Sequence, residues 1–119
     1  MAADFLRDLP SGQQILAEDP WVRQTVETIA QNFHPAGIIL FGSRANGTAR
    51  PDSDVDLVVL MDIAAQKIHE TQVAIRKLLP MRDWSLDLII LRPETYLRNN
   101  GVPNTMSYIA KKYGLLVYG

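Results

Sequence analysis

The residues of this chain that could do chemistry lie around a Gly-Ser pair and two closely spaced aspartates. Gly42-Ser43 is separated by ten residues from Asp54-Val55-Asp56. If the second segment starts a strand, Asp54 and Asp56 share one face and lie about 6.5 Å apart, at roughly 3.3 Å per residue. Two carboxylates at that spacing repel each other unless a cation lies between them. Because the ligands are all oxygens, Mg²⁺ or Mn²⁺ is favoured over zinc.

The Gly-Ser step supplies groups that suit an anion. Gly42 has no Cβ, so backbone N–H groups there can approach a phosphate closely at the start of a helical turn. Ser43 adds a hydroxyl, and Arg44 adds a positive charge. We therefore expect these three residues to bind the phosphates of a nucleoside triphosphate, while Asp54 and Asp56 bind the metal.

A third carboxylate, Asp87, interrupts an otherwise apolar run at residues 86–91. A charge inside a strand is costly unless it is paired or bound to a metal. Beside the second strand, Asp87 would complete a three-carboxylate cluster able to hold two Mg²⁺ ions and to accept a proton from an attacking hydroxyl. The alternative for Asp87 is an edge-strand charge that faces solvent, and for Arg44 and Arg50 it is a solubilising role at the surface.

Hydrophobic periodicity and turn signals predict the elements that position these groups. Asp19 and Pro20 are a helix N-cap and first position, and they open an amphipathic helix. A β-branched run bounded by glycines predicts the first strand, and the segment with the paired aspartates predicts the second. The predicted helices are residues 20–33, 64–79, 93–97 and 104–112, the last with Asn104 as N-cap and Gly114 as C-cap; the predicted strands are residues 38–41, 54–61 and 84–91. Short turns are predicted at residues 13–18 and 44–49, and residues 115–118 as an apolar tail.

Composition describes one ordinary globular domain and removes several classes of function. The chain has 119 residues, of which 47% are hydrophobic and 21% charged, and its net charge is −1. That balance disfavours direct nucleic-acid binding. Without cysteine the chain has no disulfide, thiolate metal site or cysteine nucleophile. It shows no signal-peptide pattern and no apolar run long enough to span a membrane, so we expect a cytoplasmic protein.

The segment from Gly42-Ser43 to Asp54-Val55-Asp56 resembles the G-S-x10-D-x-D signature of the polymerase-beta-type nucleotidyltransferase superfamily. The small size of the chain resembles the minimal nucleotidyltransferase branch of that superfamily. The resemblance implies an α/β (α+β) fold, with a mixed sheet flanked by helices. It also implies phosphate binding by the Gly-Ser pair, metal binding by the two aspartates, and Asp87 as the third carboxylate.

The resemblance covers about residues 20–118, so we expect residues 1–19 to be a lead-in and residues 20–119 to form the single domain. Minimal members resemble the core of larger nucleotidyltransferases but lack their acceptor-binding domain. Many pair with a small helical toxin of the HEPN class and act as antitoxins by transferring AMP from ATP to a toxin tyrosine. The resemblance therefore implies ATP as substrate, Mg²⁺ as cofactor and such a protein as partner.

Two other functions stay open at this point. The chain could keep the fold and neutralise a partner by contact alone, although a pure binder gains nothing from clustered acids. It could also modify a small hydroxylated molecule such as an aminoglycoside, and a homodimer could then build the acceptor pocket between subunits.

Overall fold

The computed structural model describes residues 4–79 and 85–119 of the chain. These residues form six α-helices, two short 3-10 turns and four strands. The elements in chain order are a 3-10 turn (Asp4–Leu6), α1 (Gln13–Glu18), α2 (Pro20–Phe33), β1 (Gly37–Phe41), α3 (Ser43–Asn46), β2 (Val55–Leu60), a 3-10 turn (Ala65–Lys67), α4 (Ile68–Leu78), β3 (Leu86–Leu91), α5 (Pro93–Asn99), α6 (Met106–Tyr113) and β4 (Leu115–Tyr118).

The strands form one mixed sheet in the order β3-β2-β1-β4. Strand β1 is antiparallel to both of its neighbours, β2 and β4, whereas β2 and β3 run parallel. The structure thus confirms the predicted mixed sheet flanked by helices. It differs at residues 115–118, which were predicted as a tail and form the edge strand β4. Residues 115–118 are a short apolar run between Gly114 and Gly119, and four residues give too little periodicity to identify a strand by that pattern.

Local chemistry explains most helix boundaries. Helix α2 begins where Asp19 accepts hydrogen bonds from the N–H groups of Trp21 and Val22, and Pro20 fits the first helical position. The prediction of Asn104 as N-cap of α6 is wrong. Asn104 has a left-handed backbone (φ 68°), and Thr105 caps the helix by accepting from the N–H of Tyr108.

Several predicted elements are shorter than expected, and two of them show where the difference lies. The helix predicted at residues 64–79 starts as a 3-10 turn and becomes α-helical only at Ile68. The strand predicted at residues 84–91 begins at Leu86. Its expected first residue, Trp84, and the proline expected to end the preceding helix, Pro80, lie outside the described residues.

The sheet separates two apolar layers, because side chains alternate between its faces. On one face α2 and α4 pack over a core that includes Val22, Ile29 and Ile75. On the other face, the first 3-10 turn, α5 and α6 cover a second core, which includes Leu6, Tyr96 and Ala110. Residues of every described strand therefore have apolar cover on at least one side.

Part of the predicted lead-in packs against the sheet. Leu6 and Leu9 are buried in the second core. The backbone of residues 10–12 lies along the outer edge of β4, where Leu116 donates to the carbonyl of Pro10 and accepts from the N–H of Gly12. This contact covers an edge that would otherwise expose unpaired backbone groups.

The opposite edge strand, β3, is protected by side chains of α4. Gln72 donates to the carbonyl of Leu88, and Arg76 donates to the carbonyl of Leu86 at 2.8 Å. These bonds occupy outward-facing acceptors of the edge and fix α4 along β3. In the described parts of the chain, no helix has the length and apolar character needed to cross a membrane.

Candidate active site

The strand register brings three aspartates together at one end of the sheet. Asp56 pairs with Phe41 at the carboxyl end of β1 and with Asp87 near the start of β3. Asp54 directly precedes β2. A carboxylate oxygen from each of Asp54, Asp56 and Asp87 lies within 4.8 Å of the others. The three acids predicted to form a cluster are therefore neighbours in the structure.

The triad lies on the face of the sheet that α5 and α6 cover. Asp56 shares this face with Val58 and Leu60, since side chains alternate along β2. Asp54 and Asp87 are exposed, and Asp56 is half-buried between them. Solvent therefore reaches the two outer carboxylates freely, while the central carboxylate is partly shielded from water.

The central carboxylate is electrostatically strained. Partial burial, a hydrogen bond to Asp87 and the negative charges of Asp87 and Asp54 together raise the pKa of Asp56 from 3.8 to about 6. Burial is the largest cause, and the neighbouring acids add to it because like charges disfavour ionisation. A proton or a cation is therefore needed at this position to relieve the repulsion.

Gly42 provides the space that the Asp56 carboxylate occupies. Its backbone has φ 76° and ψ −160°, a combination that is essentially restricted to glycine. A Cβ at this position would collide with the carboxylate of Asp56. Gly42 therefore has two structural reasons to be glycine, its backbone conformation and its close contact with the triad.

Ser43 follows as the first residue of α3, on the turn that leads from β1 past the triad. Its carbonyl accepts hydrogen bonds from the N–H groups of Gly47 and Thr48, which close the turn. Ser43 thus lies one residue from the glycine that touches Asp56. Phosphate binding by Gly42 and Ser43 stays a prediction, now with both residues placed beside the acidic cluster.

Arg44 has other partners than the phosphate that was predicted for it. The residue is 4% exposed. Its Nη1 donates to Asp19 at 2.8 Å, and its Nε and Nη2 donate to the carbonyl of Ser53 at 3.0 and 2.7 Å. Nη2 also donates to the carbonyl of Pro51 at 3.0 Å. A phosphate contact would require this buried network to break, so the arrangement does not favour that role.

The ion pair that Asp19 makes with Arg44 near the site was not predicted from the sequence. The spacing before Pro20 identified Asp19 as a helix cap, and nothing in the sequence pairs it with Arg44, which lies 25 residues later. The Asp19–Arg44 pair is a tertiary contact between two separate elements. Helix-start patterns in the local sequence carry no signal for such a contact.

The donor set of the triad fits a divalent cation such as Mg²⁺. It consists of carboxylate oxygens alone, the ligands that hard cations prefer, and the oxygens are close enough to share one ion. Mutual repulsion at Asp56 is what a cation would relieve. Asp54, Asp56 and Asp87 would hold the ion, and its charge would offset that of phosphate oxygens placed beside the triad.

Comparisons with known proteins agree with this geometry. The family model of the nucleotidyltransferase domain matches residues 22–114. The fold is similar to a crystal structure, at 1.40 Å resolution, of a provisionally assigned nucleotidyltransferase from Sulfolobus solfataricus. The TM-score is 0.56 at 20% identity, over 87% of this chain and 78% of the other. No curated protein matches the sequence significantly. Since the family model spans most of the chain and includes the Gly-Ser turn and all three aspartates, this chain belongs to the nucleotidyltransferase domain family.

Proposed function

We propose that the chain transfers AMP from ATP to a hydroxyl group in a Mg²⁺-dependent reaction. The observation that carries this proposal is the convergence of Asp54, Asp56 and Asp87 within 4.8 Å, beside a Gly-Ser turn, in a member of the nucleotidyltransferase family. An exposed acidic cluster alone is common in proteins. Here the register places it beside the end of β1, which leads directly into the Gly-Ser turn.

The side chains would divide the chemistry as follows. Gly42 and Ser43 would hold the triphosphate, and Asp54, Asp56 and Asp87 would hold the cation, whose charge would offset that of the phosphates. The acceptor oxygen attacks the α-phosphorus, a new O–P bond forms, and the bond to the leaving pyrophosphate breaks in line. Asp87 is exposed at the edge of the cluster and accepts the proton that the acceptor hydroxyl loses.

The proposed acceptor is a tyrosine of a small helical protein of the HEPN class, which would make the chain an antitoxin. The resemblance to minimal nucleotidyltransferases supports this choice. The open position of the triad supports it too, because exposed Asp54 and Asp87 leave room for a tyrosine carried on another protein. The described residues of this chain include no second domain that would bind a small acceptor.

Labelled ATP tests the proposal. The purified complex with a co-expressed HEPN-type protein is incubated with Mg²⁺ and ATP labelled at either the α- or the γ-phosphate, and proteins are separated on a denaturing gel. We expect α-label on a partner tyrosine and no γ-label, since nucleotidyl transfer releases the outer two phosphates as pyrophosphate.

The other outcomes separate the alternatives. Label from γ-ATP would indicate phosphoryl transfer and contradict the proposal. A stable complex with no label would favour neutralisation by contact alone. Label on an aminoglycoside or another small hydroxylated molecule, with none on protein, would keep nucleotidyl transfer and replace the acceptor.

A further inference from the structure

We propose that Arg44 and Asp19 are positioning residues, which together fix the Gly-Ser turn and the segment before Asp54 in the relative placement that the acidic triad needs to bind its cation. This inference rests on the proposed function, because it assigns a role in that same site. It concerns two residues outside the triad that form one partly buried ion pair.

Arg44 joins the two halves of the signature. It belongs to α3, directly after Gly42-Ser43, and its guanidinium reaches the carbonyls of Pro51 and Ser53 on the returning segment. Ser53 directly precedes Asp54. One planar side chain therefore ties the turn that contacts Asp56 to the residue that leads into the first aspartate, with a geometry that a lysine cannot reproduce.

The returning segment depends on this tie for its position. Residues 50–53 form a local turn, in which Ser53 donates its N–H to the carbonyl of Arg50 and its hydroxyl accepts from the N–H of Arg50 at 2.7 Å. These bonds shape the turn internally. Arg44 attaches this turn to the rest of the protein ahead of β2, through its bonds to the carbonyls of Pro51 and Ser53.

Asp19 connects Arg44 to helix α2, which packs on the sheet. One carboxylate oxygen accepts from Trp21 and Val22 and caps α2, and the other accepts from Arg44 at 2.8 Å. Because α2 packs on the sheet through buried Val22 and Ile29, the cap is a fixed anchor. A single carboxylate thus links the core, α3 and the segment before Asp54.

Two conservative variants separate this role from folding. Arg44→Lys keeps a positive charge near Asp19 and loses the planar set of donors. Asp19→Asn keeps an oxygen for the α2 cap and loses the charge that holds Arg44. The matched control is Glu94→Gln, which removes the acidic partner of Arg92, 2.7 Å away, at the opposite end of β3.

The readout is Mn²⁺ binding, followed by electron paramagnetic resonance at a temperature where circular dichroism shows all proteins folded. We expect the Mn²⁺ dissociation constant to rise about tenfold in Arg44→Lys and in Asp19→Asn, as for residues that orient metal ligands, and to stay unchanged in Glu94→Gln. Hydrogen exchange at the Ser53 amide should also become faster in both positioning variants, while exchange in β2 stays the same.

Three results would overturn the inference. Wild-type Mn²⁺ affinity in both folded variants would show that the network does not set the site. Faster exchange at Ser53 with unchanged affinity would show that it holds the loop only. Failure of the wild-type protein itself to bind Mn²⁺ would contradict the metal site of the proposed function and remove the basis of the inference with it.

Discussion

At the scale of single residues, two glycines of the turn after β1 separate backbone geometry from contact with the site. Gly42 and Gly47 both have positive φ values, 76° and 83°. A Cβ at Gly42 would collide with the Asp56 carboxylate, whereas a Cβ at Gly47 would meet nothing within 4 Å. The pair therefore offers a variant and a partial control: both substitutions place a Cβ at a positive φ, but Gly42, at ψ −160°, has the more restricted backbone and is the one beside the triad.

Gly42→Ala should abolish most nucleotidyl transfer, and Gly47→Ala should not. Replacing Gly47 costs about 1 kcal/mol of stability for the left-handed backbone. Replacing Gly42 adds displacement of Asp56, and a shift of roughly 1 Å at a reacting group costs on the order of a hundredfold in rate. Transfer rates and melting temperatures of the two variants check this. Equal activity in both would show that the space beside Asp56 is not needed.

The raised pKa of Asp56 predicts how stability depends on pH without a divalent cation. The folded protein holds this proton up to about pH 6, whereas the unfolded chain loses it near 3.8. The contribution of this proton to the stability of the fold is therefore complete below pH 3.8, and it is lost as the pH rises through 6. Asp56→Asn removes this loss, so it should stabilise the cation-free protein at pH 8 by about 1 kcal/mol, a value discounted for solvent screening.

Thermal melts in the presence of a chelator at pH 5 and pH 8 measure the effect. The gain from Asp56→Asn should be larger at pH 8 than at pH 5. Asp52→Asn, which changes an exposed acid two residues before Asp54, is the control and should show no gain. A stability loss in Asp56→Asn at pH 8 would mean that the triad is not under repulsion.

At the scale of elements, β4 is the part of the sheet that the sequence did not predict. Val117 is 3% exposed and belongs to the core beneath α2, while its neighbour Tyr118 is 36% exposed. Val117→Ala should lower the free energy of unfolding by about 2 kcal/mol, as truncation in a packed core does. Tyr118→Ala should cost much less. Urea unfolding of both variants tests this, and equal small losses would mean that residues 115–118 are the tail that the sequence suggested.

Elements with a strong local signal could be predicted, and tertiary ones could not. An apolar run bounded by glycines predicted β1, the alternating and then apolar segment that starts at Asp54 predicted β2, and the Asp19-Pro20 pair predicted the start of α2. Asp54, Asp56 and Asp87 were found because strand periodicity and register bring carboxylates together. The partners of Arg44 could not be predicted, because a buried arginine and a surface one look alike in sequence. Thr105 replaced Asn104 as helix cap because both are good capping residues and local sequence does not choose between neighbours.

At the scale of the whole molecule, binding at the triad should be visible as stability. A ligand that binds only the folded protein stabilises it by about 2.7 kcal/mol at a concentration of 100 times its dissociation constant. Saturating Mg²⁺ or Mn²⁺ should therefore raise the melting temperature of the wild-type protein by several degrees. The same ion should have little effect on Asp56→Asn, and NaCl at equal ionic strength should have little effect on either. A shift that persists in Asp56→Asn would place the ion elsewhere.

The most direct test of the account is transfer of α-label from ATP by the wild-type complex and by single variants of the acidic residues, measured side by side with Mg²⁺. The account predicts that Asp54→Ala and Asp56→Ala lose transfer while they stay folded, and that Asp52→Ala retains it, since only the first two belong to the triad. Transfer that survives in the Asp54→Ala, Asp56→Ala double variant would contradict the central claim that this cluster is the catalytic centre.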